Sequence, residues 1–370
     1  MDLRQPELST YRYLVLAEGH FGPVTSKTAN SAIRYLPGRV CGVVDSRTAG
    51  QTAQAVLGFG GGIPIVGSVQ EGLKLGPTAL LIGIAPQGGR LPQEWRPALT
   101  AAMDAGLNVV SGLHFHLGDD PELADLAARQ GLSIHDLRRP PAGLPVSAGR
   151  ARAVEALTVL TVGTDCNIGK MTAALQIRDA LRRRGVRVGF AATGQTGILI
   201  EGWGIAVDAV VADFIGGAAE TLVLKAAEDA EIVLVEGQGS IYHPGYSGVT
   251  LGLLHGSVPD AMILCHAPSR TCPYGGGGVN SWMPLPSVAE TIRLYESLAR
   301  PLKESRVIGI SLNTWDLTDD EARDAAARLE DETNLPVTDP VRFDPGPLLD
   351  AILAAREEKL EEVAAAWAHR

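Results

Sequence analysis

The apolar positions of this chain gather into short runs, and stretches of helical spacing separate them. In the first part, residues 13–17 (YLVLA), 39–44 (RVCGVV), 63–66, 78–84 (TALLIGI), 108–111 and 132–135 read as strands. Residues 26–35, 95–105 and 121–130 carry apolar positions at helical spacing between them. The second part repeats the alternation. Its strands are 157–162, 186–191, 232–235, 262–265 and 307–312, and its clearest helices begin at Lys170 and cover 287–299, 319–333 and 346–366. Strand and helix taking turns in this way predict an α/β protein with parallel sheets and right-handed crossovers.

At 370 residues the chain exceeds one ordinary core, which predicts two domains. The best linker is the stretch 138–148 (RRPPAGLPVSA), with three prolines and two arginines. A boundary near residue 150 follows, giving a doubly wound domain over 1–150 and a second α/β domain over 151–370.

The strand at 157–162 runs into the stretch with the strongest chemistry, GTDCNIGKMT, and a helix follows. Strand, glycine-bounded loop, Lys and helix form an arrangement that cradles phosphate. Backbone N–H groups and the helix N-terminus face the anion, and the ammonium reaches round it. Gly163, Thr164, Asp165, Asn167, Gly169, Lys170 and Thr172 are the candidate phosphate ligands. Two features depart from the common pattern. Five residues lie between the glycines instead of four, and Met171 follows the Lys where Ser or Thr is usual, with Thr172 one place later. The five-residue spacing and the GTD start resemble the loop of dethiobiotin synthetase and its relatives.

Other strand ends add candidates. Glu236 closes the strand at 232–235 beside the phosphate loop, a place for a metal-binding or water-orienting carboxylate. His243 is a candidate proton acceptor or donor, since an imidazole titrates near neutrality. Gln195 lies in ATGQTG, and Arg90 and Arg270 follow other strand ends, where a guanidinium binds carboxylate or phosphate. Asn313 follows the last long strand, a place that resembles base-recognising positions in related P-loop enzymes, which makes it a candidate for recognising a nucleotide base. Asp45 ends the second strand, but the first loop lacks G-x-G-x-x-G, which argues against a dinucleotide site there. His114 and His116 share a face without an evident third ligand, so no metal site is assigned. Cys166 lies near a helix N-terminus, a setting that lowers a thiol pKa, but a nucleophilic role also needs a base beside it.

A net charge of −10 argues against a nucleic-acid surface, which needs a basic footprint. Four scattered cysteines without metal spacing read as free thiols in a reducing cytosol. A polar N-terminus and the lack of a run of roughly 18 apolar residues predict a cytoplasmic protein away from membranes. The oligomeric state stays open, a homo-oligomer included.

Taken together, GIAPQGGRLP (83–92), GTDCNIGKMT (163–172), ATGQTG (192–197), VADFIGGAAE (211–220) and VEGQGS (235–240) resemble the D-glutamate N-acetyltransferase family, long described as a domain of unknown function. The resemblance runs through both halves; a more distant one, confined to the second half, is to dethiobiotin synthetase. It implies a Rossmann-like N-terminal domain, a P-loop C-terminal domain, and acetyl transfer from acetyl-CoA to an amino acid such as D-glutamate. The pyrophosphate and 3′-phosphate of coenzyme A suit a glycine loop with Lys, and such binding requires no Mg²⁺. On this reading Glu236 and His243 are the candidate bases, and Arg90, Gln195 and Arg270 hold substrate. Two alternatives remain at this point: an enzyme that uses ATP and Mg²⁺ to activate a carboxylate, and a nucleotide-binding regulator.

Overall fold

The structure is a computed structural model that describes residues 3–84, 89, 91–275 and 280–368. The described residues form two compact units, each built on a six-stranded parallel sheet. The first comprises the chain up to Pro141 together with Gly194–Ala209; the second comprises Ala142–Thr193 and the chain from Val210 onward. The chain therefore leaves the first unit at Pro141, ahead of residue 150, and returns to it for one short excursion. Two uninterrupted blocks do not include that excursion.

In the first unit the strands are β1 (Tyr13–Leu16), β2 (Val40–Val44), β3 (Ile65–Val66), β4 (Ala79–Ile82), β5 (Asn108–Ser111) and β6 (Ile134–Asp136). They lie in the order β3-β2-β1-β4-β5-β6, so the winding reverses between β1 and β4. Every residue of β1 and of β4 is buried, which is why these strands read as unbroken apolar runs. The helices are α1 (Lys27–Tyr35), α2 (Ala53–Leu57), α3 (Val69–Leu73), α4 (Arg96–Asp104) and α5 (Pro121–Gln130), with α7 (Gln195–Glu201) supplied by the excursion. On one side of the sheet Leu14, Leu80 and Val109 form a core with Trp95, Leu99 and Met103 from α4 and its approach.

The second unit has β7 (Leu157–Gly163), β8 (Val188–Ala191), β9 (Ile232–Val235), β10 (Ala261–His266), β11 (Arg306–Leu312) and β12 (Val337–Thr338), in the order β12-β11-β10-β7-β9-β8. β7 lies between β9 and β10 and is buried along its whole length. Its C-terminal end thus opens where successive crossovers leave to opposite sides, the place where open α/β sheets bind ligands. Around the sheet are α6 (Lys170–Arg183), α8 (Ala212–Ala226), α9 (Ser247–Ser257), α10 (Val288–Ala299), α11 (Asp319–Thr333) and α12 (Gly346–Ala368).

Several stretches take their roles from the packing around them. The glycine-rich stretch 243–255 turns into α9 from Ser247. Gly256 of α9 meets Gly216 of α8 so closely that a Cβ on it would stand 2.2 Å from the Gly216 carbonyl oxygen. These glycines bring two helices together. Arg138, at the start of the linker stretch, is buried; it donates through Nε to the Gly112 carbonyl at 2.7 Å and pairs with Asp208. The other end of that stretch is pinned by Glu220, a fully buried carboxylate that accepts from the Ala148 N–H at 3.2 Å and the Arg150 guanidinium at 2.9 Å. Asp45 accepts from the Gly19 N–H at 2.7 Å and from the Thr48 hydroxyl, so it organises a polar turn.

Candidate functional site

β7 delivers the chain to the phosphate loop. Thr164 extends the pairing with β10 by donating its N–H to the Cys265 carbonyl at 3.1 Å. The loop then turns through two left-handed residues, Asn167 (φ 55°) and Gly169 (φ 104°). A φ of 104° suits glycine and strains any side chain, so the Gly169 position is set by backbone geometry. Gly169 is also the N-cap of α6 and has no side chain to offer the helix. The helix N-terminus therefore carries no side-chain cap from this position, an arrangement that suits an anion and that the helix dipole reinforces.

Inside the loop the charged groups are tightly partnered. Lys170 is buried and donates through Nζ to the Asp165 carbonyl at 2.7 Å. The Asp165 carboxylate, with no exposed surface, accepts from the N–H of Cys166 at 2.7 Å and the N–H of Tyr274 at 2.7 Å. Arg270 stands 3.3 Å from the same carboxylate, and its guanidinium lies over the Tyr274 ring. Asp165 thus ties the segment after β10 to the phosphate loop.

His266 ends β10 with Nδ1 3.0 Å from the Thr164 hydroxyl. Burial pushes its imidazole down to about 4, so the ring is neutral at physiological pH. Its carbonyl accepts from the Asn313 N–H at 2.8 Å. The Asn313 side chain comes within 3.7 Å of the point a Cβ on Gly169 would occupy. One connected series runs from Thr164 through His266 and Asn313 back to Gly169.

On the other side of β7, Glu236 follows β9. It is almost wholly buried, and its Oε2 accepts from the Thr193 N–H at 3.0 Å. The Thr193 hydroxyl donates to the Glu236 carbonyl at 2.7 Å. The glycine after it does not make room for ligand: a Cβ on Gly237 would fall 1.6 Å from the Thr161 carbonyl oxygen of β7. His243 stacks on Tyr246 with ring centroids 4.4 Å apart. Its Nε2 donates to the Tyr274 carbonyl at 2.8 Å, and its Nδ1 accepts from the Gly245 N–H at 3.1 Å. Both ring nitrogens are engaged, so the imidazole joins the segment after β9 to the segment after β10.

The fold thus brings Gly163, Thr164, Asp165, Asn167, Gly169, Lys170, Asn313, Arg270, Glu236 and His243 to one edge of the second sheet. Thr172 sits in the first turn of α6, partly exposed. Gln195 belongs to the first unit, where it opens α7 and packs on Gly112. Arg90 lies outside the described residues. Cys166 differs from the expected low-pKa thiol: burial, with the Asp165 charge beside it, pushes the thiol up to about 12. Sequence reading missed the backbone of Tyr274 and the amide of Asn280, which donates to the Tyr274 carbonyl at 2.9 Å. A glycine-rich stretch offers no signal for such contacts. Among the described residues no three His, Cys, Asp or Glu gather as a metal site, and no helix is long and apolar enough to cross a membrane.

Comparison with known proteins covers both halves. The P-loop domain of DUF1611, a family described as a domain of unknown function, matches residues 145–349, and its Rossmann-like N-terminal domain matches residues 46–140. A protein of Tritonibacter scottomollicae named D-glutamate N-acetyltransferase is 41% identical over 288 residues, which is 78% of this chain and 84% of that protein. A protein of the same name from a Pseudoalteromonas species is 40% identical over 276 residues, covering 74% and 81% respectively. The crystal structure of a DUF1611 family protein from Anabaena variabilis superposes with a TM-score of 0.88 at 40% identity, over 93% of this chain and 99% of that one.

Proposed function

The chain belongs to the DUF1611 family and is an N-acetyltransferase, and from that premise we propose that it moves the acetyl group of acetyl-CoA onto the amine of D-glutamate. The observation that carries this reading is the 41% identity with a D-glutamate N-acetyltransferase across 78% of the chain, which includes both domains.

The second unit supplies the donor site in this account. The coenzyme A pyrophosphate lies on the N–H groups of the loop from Gly163 to Gly169 and at the start of α6, with Lys170 turned toward it. The amine nitrogen attacks the thioester carbonyl; an N–C bond forms, the C–S bond breaks, and coenzyme A leaves as its thiolate, which then takes a proton. The attacking ammonium must first lose a proton. We assign that proton to Glu236, because His243 has both ring nitrogens occupied. His243 acts here as a positioning residue that holds Tyr274 near the loop. Arg270 is the candidate partner for a substrate carboxylate once it leaves Asp165.

The test mixes purified protein, acetyl-CoA and D- or L-glutamate and follows free thiol. Thiol release that depends on D-glutamate supports the proposal. No release across a panel of acidic amino acids, together with Mg²⁺-dependent ATP cleavage, replaces it with carboxylate activation.

A further inference from the structure

Trp315 stands in the turn directly after β11, and 65% of its surface is exposed. A lone surface tryptophan is ordinary. Two observations set this one apart. The first is its position: Asn313, two residues earlier, has its side-chain amide 3.7 Å from the point that a Cβ on Gly169 of the phosphate loop would occupy. Two residues of chain span at most about 7 Å, so the indole is anchored within a short reach of the loop.

The second is the rigidity of the turn. Thr314, with no exposed surface, donates both its N–H (3.1 Å) and its hydroxyl (2.7 Å) to Asp339. Arg342 donates to the Thr314 carbonyl at 2.6 Å and to the Leu317 carbonyl at 2.8 Å. Asp339, itself buried, also accepts from the Val341 N–H at 2.9 Å. Thr314 before Trp315 and Leu317 two residues after it are thus held by a carboxylate and a guanidinium from beyond β12. The turn holds a large aromatic face in solvent, with its backbone set before any ligand arrives.

We infer that Trp315 is the platform on which the adenine ring of the donor stacks, with Asn313 beside it at the edge of the phosphate loop. The inference rests on the reading of this loop as the donor-phosphate site. Adenine suits the position because an indole offers a π face to any purine, and a pre-fixed aromatic loses little freedom on stacking. It also divides the labour within the donor: the loop holds phosphate, and the indole adds affinity for the nucleoside without touching the reacting thioester.

The experiment compares wild type, Trp315→Ala and Trp315→Phe with two donors, acetyl-CoA and S-acetyl-4′-phosphopantetheine, which lacks the nucleoside. Trp315→Ala should raise KM for acetyl-CoA about tenfold or more, as expected for loss of one stacked base, with kcat retained. Trp315→Phe should keep most of the affinity, and KM for the truncated donor should be the same in all three proteins. An unchanged acetyl-CoA KM in Trp315→Ala, or an equal rise for both donors, overturns the inference. If wild type uses neither donor, the acetyl-CoA reading fails separately, and calorimetric binding of ADP decides the platform: weaker binding by Trp315→Ala supports it, and equal binding overturns it.

Discussion

Lys170 donates through Nζ to the carbonyl oxygen of Asp165 at 2.7 Å, so the ammonium expected to meet phosphate is tied across the loop that precedes it. The same hydrogen bond fixes the loop and holds the lysine beside the proposed anion site. Lys170→Ala should therefore act twice. Binding of acetyl-CoA should weaken by about 1.5–3 kcal/mol, the range for a hydrogen bond to a charged group. The unliganded protein should also lose about 1 kcal/mol of stability, because a buried carbonyl loses its donor. Calorimetry and denaturant unfolding read the two effects separately.

Glu236→Gln keeps an acceptor for the Thr193 N–H and removes the proposed base. The variant should fold as wild type does and lose ~10²–10⁴-fold in kcat, the usual weight of a general base. His243→Ala should behave differently. It cuts the contacts to Tyr274 and Gly245, so the donor KM should rise and stability fall by about 1–2 kcal/mol, while the pH dependence of kcat stays in place. Steady-state kinetics across pH distinguishes the two roles.

Cys166 sits inside the phosphate loop, yet burial and the neighbouring Asp165 charge hold its thiol near 12, far from a thiolate at neutral pH. Cys166→Ser should retain activity, and alkylating reagents at neutral pH should leave the native protein's Cys166 unmodified. Peptide mapping after alkylation, alongside the activity of the variant, checks both outcomes.

His266 gives the fold a pH dependence of known sign. Its folded pKa, pushed down to about 4 by burial, lies below the ordinary 6.5. Between those values the unfolded chain binds a proton that the folded chain refuses, so stability falls as pH drops through this window and is fully present above it. At pH 5 the loss from this one group is about 2 kcal/mol. His266→Gln should lose less stability than wild type between pH 7 and pH 5, as measured by denaturant midpoints. Parallel losses in the two proteins would contradict the assignment.

Much of this was legible in the chain because the physics was local. β4 and β7 are buried end to end, so a run of apolar residues in β4, and of apolar and β-branched residues in β7, was enough to place them. The phosphate loop was legible for a similar reason: Gly169 needs a left-handed backbone and α6 needs an open N-terminus, both consequences of adjacent residues. What stayed hidden depends on distant partners. Gly237 is held by Thr161 of β7, and Gly256 by Gly216 of α8, neither of them a neighbour in sequence. The engagement of both His243 nitrogens required Tyr274, 31 residues on. The excursion Gly194–Ala209 left no break in the alternation of strands and helices, and its assignment to the first unit rests on contacts far along the chain.

The most direct test of acetyl transfer follows the acetyl carbon itself. Acetyl-CoA labelled at the carbonyl carbon is incubated with D-glutamate and the purified protein, and the label is tracked by nuclear magnetic resonance. With acetyl transfer, the thioester signal disappears as an amide signal on glutamate grows in equal amount, and free coenzyme A thiol appears in step. A thioester signal that persists, or label that emerges as free acetate with glutamate unmodified, would contradict it.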